Sequence, residues 1–333
     1  MVSNFTFVIL TGYCYMSEPD NTLHTIPTLT AQSAGVSLLP FLALLFPAVP
    51  LAQLQRAVRE GQVRVDGRVV RQAAWVVPSG SQVSWRGPLA DIALTEPAAP
   101  LTLEILYEDA DLLICDKPAG MLSHPSPQEK SGTLLHAAAH YILQQGGPSA
   151  QRPFLLHRLD RDTSGVIALA RHERAAQILT RDFAEKRARK QYLALVKGIV
   201  NDDSGTIDAA IAPTPHLWPR WRVAANGAPA QTRFTIRERF PRHTLLSLEP
   251  LTGRTHQLRL HCAHIGHPIA GEKVYRGIAK PARTPGISFL RTMLHAERLT
   301  LPHPTQTGRL VAAAAPLPAD LTQALAAIVH CEL

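Results

Sequence analysis

Hydrophobic and polar positions change period several times along this chain, and each change marks an element. Residues 1 to about 33 are polar and Thr-rich with no period, which predicts a disordered leader; Met16, followed by SEPDN, offers a second start. From Gly35 the apolar stretch VSLLPFLALLF runs into a proline-rich break. In LAQLQRAVREG, Leu51, Leu54 and Val58 fall on one helical face before Gly61 ends the helix. VRVDGRVV then alternates about Asp66-Gly67, a hairpin signal.

A Pro- and Ala-containing linker near Gly87 to Pro100 separates this small unit, residues 34–90, from a larger one, residues 98–330. LTLEILYEDADLLICDKP reads as two strands around a turn at Asp109 to Asp111, and TLLHAAAHYILQQGG as a helix stopped by glycines. FLLHRLDRDTSGVIALARH reads as strand, loop, strand, and ERAAQILTRDFAEK as an amphipathic helix. KQYLALVKG, AQTRFTIRERF and HTLLSLEPL are further short strands. So many strands with so few helices, and no internal repeat, predict an α+β fold: a mixed sheet with helices packed on it.

Composition narrows the class. With 46% hydrophobic and 18% charged residues over 333 positions, the chain buries a real core and fits two domains. Lys and Arg outnumber Asp and Glu by 34 to 26, a bias toward a polyanionic partner. The four cysteines, Cys14, Cys115, Cys262 and Cys331, form no CxxC pair, which points to a reduced, cytoplasmic protein. Thr30 to Gln55 carries no charge over a length that would span a bilayer, but Pro40, Pro47 and Pro50 interrupt it. The opening MVSNFTFVIL lacks the basic flank of a signal peptide, so no membrane anchor is expected.

The nine residues HRLDRDTSG, His157 to Gly165, carry the candidate chemistry. They place Asp160 at the end of an apolar strand, before a loop whose Thr163, Ser164 and Gly165 turn the backbone. Beside Arg158 and Arg161 that carboxylate would be held ionised, as a nucleophile or base must be. Read alone, the motif is better explained as a strand-end ion pair. His157 is expected to pack and hydrogen-bond in support.

The wider pattern resembles the RluA family of pseudouridine synthases, through separated motifs in the family's order from Leu101 to Leu317. LYEDADLLICDKPAGMLSHP is similar to its opening segment, HRLDRDTSG to its active-site motif, KQYLALVKG to the segment bearing the family tyrosine, GRTHQLRLHCAHIGHPIAG to its long C-terminal motif, and RTMLHAERLTLPHP to its final strand. The resemblance implies a largely antiparallel sheet flanked by helices. It also implies isomerisation of uridine to pseudouridine in structured RNA, ribosomal or transfer, without cofactor or metal, by a monomer. By the same resemblance Asp160 is the catalytic aspartate, Tyr192 the base-stacking tyrosine and Arg259 the carboxylate's partner. Asp160 would attack the anomeric carbon or remove a ribose proton; both routes stay open. Arg158 is assigned as the wedge that fills the stack when the target base is extruded, and Arg161 and Arg254 as further RNA contacts.

The helix, REG and VRVDG succession of the small unit resembles an S-four-like RNA-binding module. Arg56, Arg59, Arg64, Arg68 and Arg71 would give it a phosphate-binding face; a solvated surface is the plainer alternative. The run from Arg181 to Lys190 and the group Trp218, Arg220, Trp221 and Arg222 also suit RNA. His256, His261, His264 and His267 near Cys262 invite a zinc reading, rejected because the family motif already accounts for the segment. Competing functions are an inactive RNA-binding protein of the same fold, and a nucleoside hydrolase using Asp160 and Asp162. The second is disfavoured, since carboxylates one position apart in a tight loop cannot flank one bond.

Overall fold

Asp66 and Gly67 both take positive φ, 50° and 78°, and close a two-residue turn that pairs Val65 with Arg68. That is the backbone a type I′ hairpin needs, and Asp-Gly tolerates it. The computed structural model describes residues 24–25, 36–39, 42, 51–78, 81, 83–85, 103–126, 129, 131–145, 153–214, 220–275 and 288–331. The chain divides into two units, Met1–Pro97 with His124–Ser131 and Ala98–Ser123 with Gly132–Leu333.

The first unit contains β1 (His24–Thr25), β2 (Val36–Ser37), α1 (Leu51–Arg59), β3 (Val63–Val65), β4 (Arg68–Val69), β5 (Val76–Val77) and β6 (Val83–Trp85). Its four-stranded sheet runs β1-β6-β3-β4, and β2 pairs with β5. Helix α1 ends as its sequence predicts. Gly61, at φ 77°, lets its own N–H reach Val58 and the N–H of Gln62 reach Ala57, the paired bonds of a glycine C-cap. Leu54, Val58, Val63, Val65 and Val83 share one core with Leu38 and Leu42, while Arg56, Arg59, Arg64, Arg68 and Arg71 are all exposed. The leader departs from its expectation at one point: β1 pairs with β6, so the chain before residue 33 supplies a strand. The rest of the leader lies outside the described residues.

The second unit is built on one ten-stranded sheet. Its strands are β7 (Glu104–Glu108), β8 (Leu112–Lys117), β9 (Phe154–Leu155), β10 (Ser164–Ala170), β11 (Arg189–Lys197), β12 (Ser204–Asp208), β15 (Gln231–Arg239), β16 (His243–Pro250), β17 (Leu294–Pro302) and β18 (Leu310–Ala314); β13 (Ile211–Pro213) and β14 (Trp221–Val223) form a separate ribbon. The order is β12-β15-β16-β11-β17-β10-β8-β7, with β18 beside β17 and β9 beside β10. Every pairing is antiparallel except β10 with β17. The helices are α2 (Leu134–Gln144), α3 (Glu173–Ala184), α4 (Gln257–His264) and α5 (Ala319–Cys331). Largely antiparallel with flanking helices is therefore the architecture.

Strand β10 explains why the run after Ser164 carries no polar side chain. All seven of its residues are buried. Ile167 and Leu169 join the core that also holds Leu134, Leu258 and Leu321 of α2, α4 and α5, whereas Val166, Ala168 and Ala170 join the one that holds Leu179 of α3. Successive side chains of a strand point to opposite faces, so a strand covered on both faces must be apolar at every position. Among the described residues no helix is long and apolar enough to cross a membrane.

Candidate active site

Asp160 does not end a strand as its apolar lead-in predicts. Strand β9 stops at Leu155, and Arg158 to Asp160 run outside the ladder. Two side-chain substitutions for ladder bonds account for this. The backbone N–H of Ala168 donates to Nε2 of His157 at 3.1 Å, and Ser123 Oγ both donates to Leu159 O (2.8 Å) and accepts from Leu159 N (3.1 Å). His157 also stacks on Phe183 with ring centroids 5.0 Å apart, and burial pushes its pKa down to about 3, so it is a neutral structural group.

The loop after Asp160 is clamped from two sides. From the KPAG segment, Lys117 is fully buried and its Nζ donates to the carbonyls of Pro118, Met121 and Arg161 at 2.8, 2.8 and 3.1 Å. Burial pulls that amine down to about 8, against the attraction of Asp160. Gly120 N–H reaches the same Arg161 carbonyl at 2.8 Å. From the other side Arg291 donates to Asp162 O at 3.0 Å and Ser164 Oγ at 3.2 Å, while Asp320 holds its fork at 2.5 and 2.8 Å. A charged side chain satisfied at every donor is a rigid brace.

The partner of the Asp160 carboxylate is Arg259, not its neighbours in sequence. Arg259 Nη1 donates to Asp160 Oδ2 at 3.1 Å across 99 positions of chain. Arg161 donates to Gly120 O at 3.3 Å, and Arg158 is exposed with no side-chain hydrogen bond or ion pair among the described residues. Arg259 is fixed in turn by Glu272, whose carboxylate takes Nε at 2.6 Å and Nη2 at 2.9 Å and is 1% exposed. Glu272 also accepts from the backbone N–H of Val274 and Tyr275. The fork is thus used up on Glu272, and the one remaining nitrogen addresses Asp160.

Helix α4 carries Arg259, and its start is held by Gln257. That buried amide accepts from Thr252 Oγ1 (2.7 Å) and Arg254 N (3.0 Å), and donates to Gln231 O (2.9 Å) and Thr232 Oγ1 (3.0 Å). Arg254 is exposed and donates to Pro229 O at 3.0 Å. Tyr192 comes from β11, buried, at the point where the register against β17 slips by one residue between Gln191 and Tyr192. Such bulges re-aim side chains. Burial and then the charge of Asp160 raise the tyrosine's pKa above its ordinary value, so the phenol stays protonated.

The histidines do not converge. His256 bonds Tyr275, His261 bonds Thr232 and Ala209 O, His267 bonds Lys197 O, and His264 is exposed. Among the described residues, Asp109, Asp111 and His303 bring potential metal-ligand atoms within 4.8 Å, yet these atoms are bonded to one another, Tyr107, His172 and Thr305. The basic run from Arg181 to Lys190 is only partly an outward face: Arg187 is paired with Asp182 and Glu185, and Lys190 lies over the Phe183 ring. Trp218 lies outside the described residues.

Sequence reading missed Glu272, Tyr275 and the bracing roles of Lys117 and Arg291. For the first two a signal was present, since both fall just after HPIAG, beside the motif that carries Arg259.

Comparison with known proteins identifies the family. Residues 111–264 match the family model described as RNA pseudouridylate synthase, and residues 38–83 match the S4 domain. An uncharacterized RNA pseudouridine synthase of Bacillus subtilis is 38% identical over 81% of this chain and 87% of its own. The ribosomal large subunit pseudouridine synthase D of Xylella fastidiosa is 36% identical over 90% of this chain and 91% of its own. Among solved structures, human RNA pseudouridylate synthase domain containing 4 superposes with a TM-score of 0.57 at 23% identity, over 68% of this chain and 93% of its own, a likeness of fold. Identity of this extent over nearly whole chains places the protein in the RNA pseudouridine synthase family, isomerases that convert uridine in RNA to pseudouridine.

Proposed function

We propose that this protein isomerises uridines of large-subunit ribosomal RNA, with Asp160 as the reacting carboxylate. The observation that carries the residue assignment is the Arg259–Asp160 contact, which leaves Oδ1 of Asp160 without a hydrogen bond among the described residues. A carboxylate anchored through one oxygen keeps the other for the ribose. Several relatives named ribosomal large subunit pseudouridine synthase D, at about 35% identity, support the choice of substrate. Mapping pseudouridines in ribosomal and transfer RNA from cells with and without the gene tests it. Loss of a large-subunit site is expected; loss confined to transfer RNA would overturn the choice.

Tyr192 offers the detached uracil an aromatic face, and Arg158, exposed beside the site, takes the place of the extruded base. Arg161 and Arg254 contact the RNA backbone around them. Because the Tyr192 phenol stays protonated, it relays a proton only by giving up its own as it takes another. Tyr192→Phe is expected to lower kcat by about 10²-fold while KM stays within about twofold. An unchanged kcat would restrict the residue to stacking.

Residues 34–90 form the RNA-binding unit in this reading and 98–330 the catalytic one. The S4 match and the exposed arginines support it. Charge reversal of Arg64 and Arg68 together is expected to flatten the salt dependence of RNA affinity by about 0.9 in log–log slope for each phosphate no longer neutralised. Identical slopes would show that the unit does not touch RNA. The buried free thiols of Cys115 and Cys262, and a ribosomal substrate, suit a cytoplasmic protein.

A further inference from the structure

Among the described residues, His256 is the one non-glycine residue beside Asp160 held in left-handed backbone, at φ 55° and ψ 21°. A side chain in that region costs about 1–2 kcal/mol, and such strain persists where the surroundings fix it. Here the Gln257 amide and the bond from Leu260 N–H to His256 O fix it. The conformation places Nε2 of the imidazole 3.9 Å from Asp160 Oδ1, the oxygen that Arg259 does not hold. That separation is too long for a hydrogen bond and close enough for both groups to face one substrate sugar.

The opposite nitrogen is committed. His256 Nδ1 lies 2.6 Å from Tyr275 Oη, and that oxygen already accepts from Trp221 N–H at 3.2 Å. The phenolic proton therefore has His256 Nδ1 as its acceptor; a proton on Nδ1 would leave the tyrosine donor with no acceptor among the described residues. Nε2 then carries the imidazole proton and points at the site. Burial lowers the pKa of His256; Asp160 opposes the shift, while Arg259 and Arg158 add to it and Glu272 opposes it. The ring is thus neutral near pH 7, with a single N–H.

We infer that His256 is a substrate-contacting residue whose Nε2–H donates to the 2′-hydroxyl of the target ribose, with Tyr275 as the positioning residue that sets its tautomer. This rests on the proposed function, because both routes open to Asp160 bring it against C1′ or C2′, and the hydroxyl nearest to both carbons is the one on C2′. The contact would also help this site tell ribose from deoxyribose.

The test is a cycle of dissociation constants. His256→Asn is the variant, because asparagine tolerates the left-handed backbone while its amide is too short to reach the sugar. The probe is an RNA fragment carrying the mapped target uridine, and the same fragment with 2′-deoxyuridine at that position. Each change alone is expected to weaken binding about fivefold, and both together no more than one. Independent, multiplying losses would overturn the assignment. A nitrogen-15 spectrum of the free wild-type protein provides a second reading that needs no RNA. A proton on Nε2 is expected, shifting toward Nδ1 in Tyr275→Phe; a proton on Nδ1 in the wild type would also overturn it. Conversion of uridine by the wild type, followed in parallel, separates failure of the proposed function from failure of this contact.

Discussion

Asp160→Asn should form no measurable pseudouridine while binding RNA within about twofold of the wild type. The amide has the shape of the carboxylate, and its oxygen can still accept from Arg259 Nη1, so the loop that Lys117, Ser123 and Arg291 brace has no reason to move. What is lost is the oxygen able to attack the anomeric carbon or take a ribose proton. Removing the reacting group of an enzyme costs about 10⁴-fold or more in turnover, the activity that remains coming from binding and positioning. Single-turnover assays on a large-subunit RNA fragment, with pseudouridine quantified in the digest, read the effect directly. A melting temperature near the wild type's would show that the loss is chemical. Turnover within tenfold of the wild type would remove Asp160 from the chemistry, whichever of the two routes is followed.

Local chemistry was legible in the sequence to the extent that it was local. The Asp66-Gly67 turn, the Gly61 cap and the strand over SGVIALA each follow from a handful of adjacent residues, and each is present. Asp160 and Arg259 were joined by family motifs; spacing within the chain says nothing of a contact spanning 99 positions. The adjacent arginines suggest themselves as the groups that hold the carboxylate ionised, but residues on either side of an extended backbone point away from it, and the guanidinium that reaches Asp160 comes from a helix. The strand expected to run to Asp160 breaks at Leu155 because Ser123, 36 positions earlier, satisfies the backbone of Leu159. No periodicity records such a substitution. Glu272 and Tyr275 stand beside the motif that carries Arg259, but their roles are not written in it: each acts on the site only through Arg259 or His256, and that role exists only once the helix start is folded against them.

Gly165→Ala should be the most damaging single methyl in the chain's active-site motif. Gly165 sits at φ 112°, where side chains are rarely tolerated, and a Cβ there would lie 2.2 Å from the carbonyl oxygen of Ala296 and 2.7 Å from its carbon and nitrogen. These are backbone atoms of β17, so no side chain can swing away. The glycine also stands in the parallel register of β10 with β17 and opposite Lys117 of β8, in the middle of the ten-stranded sheet. Backbone strain of about 1–2 kcal/mol adds to a forced displacement of about 1–3 kcal/mol, so a loss of about 2–5 kcal/mol is expected. Gly120→Ala is the matched comparison: its φ is 87°, but nothing lies within 4 Å of the added carbon, so only the strain applies. Chemical denaturation of both variants should show Gly165→Ala to be the less stable by about 2 kcal/mol. Equal losses would mean that β10 and β17 are not in contact at this point. A further consequence separates the packing from mere instability. Arg291 bonds both Ser164, one residue away, and the loop carbonyl of Asp162, so displacing β10 from β17 shifts the brace that holds Asp160. Folded Gly165→Ala protein should therefore turn over more slowly than folded Gly120→Ala protein at a temperature where both are native.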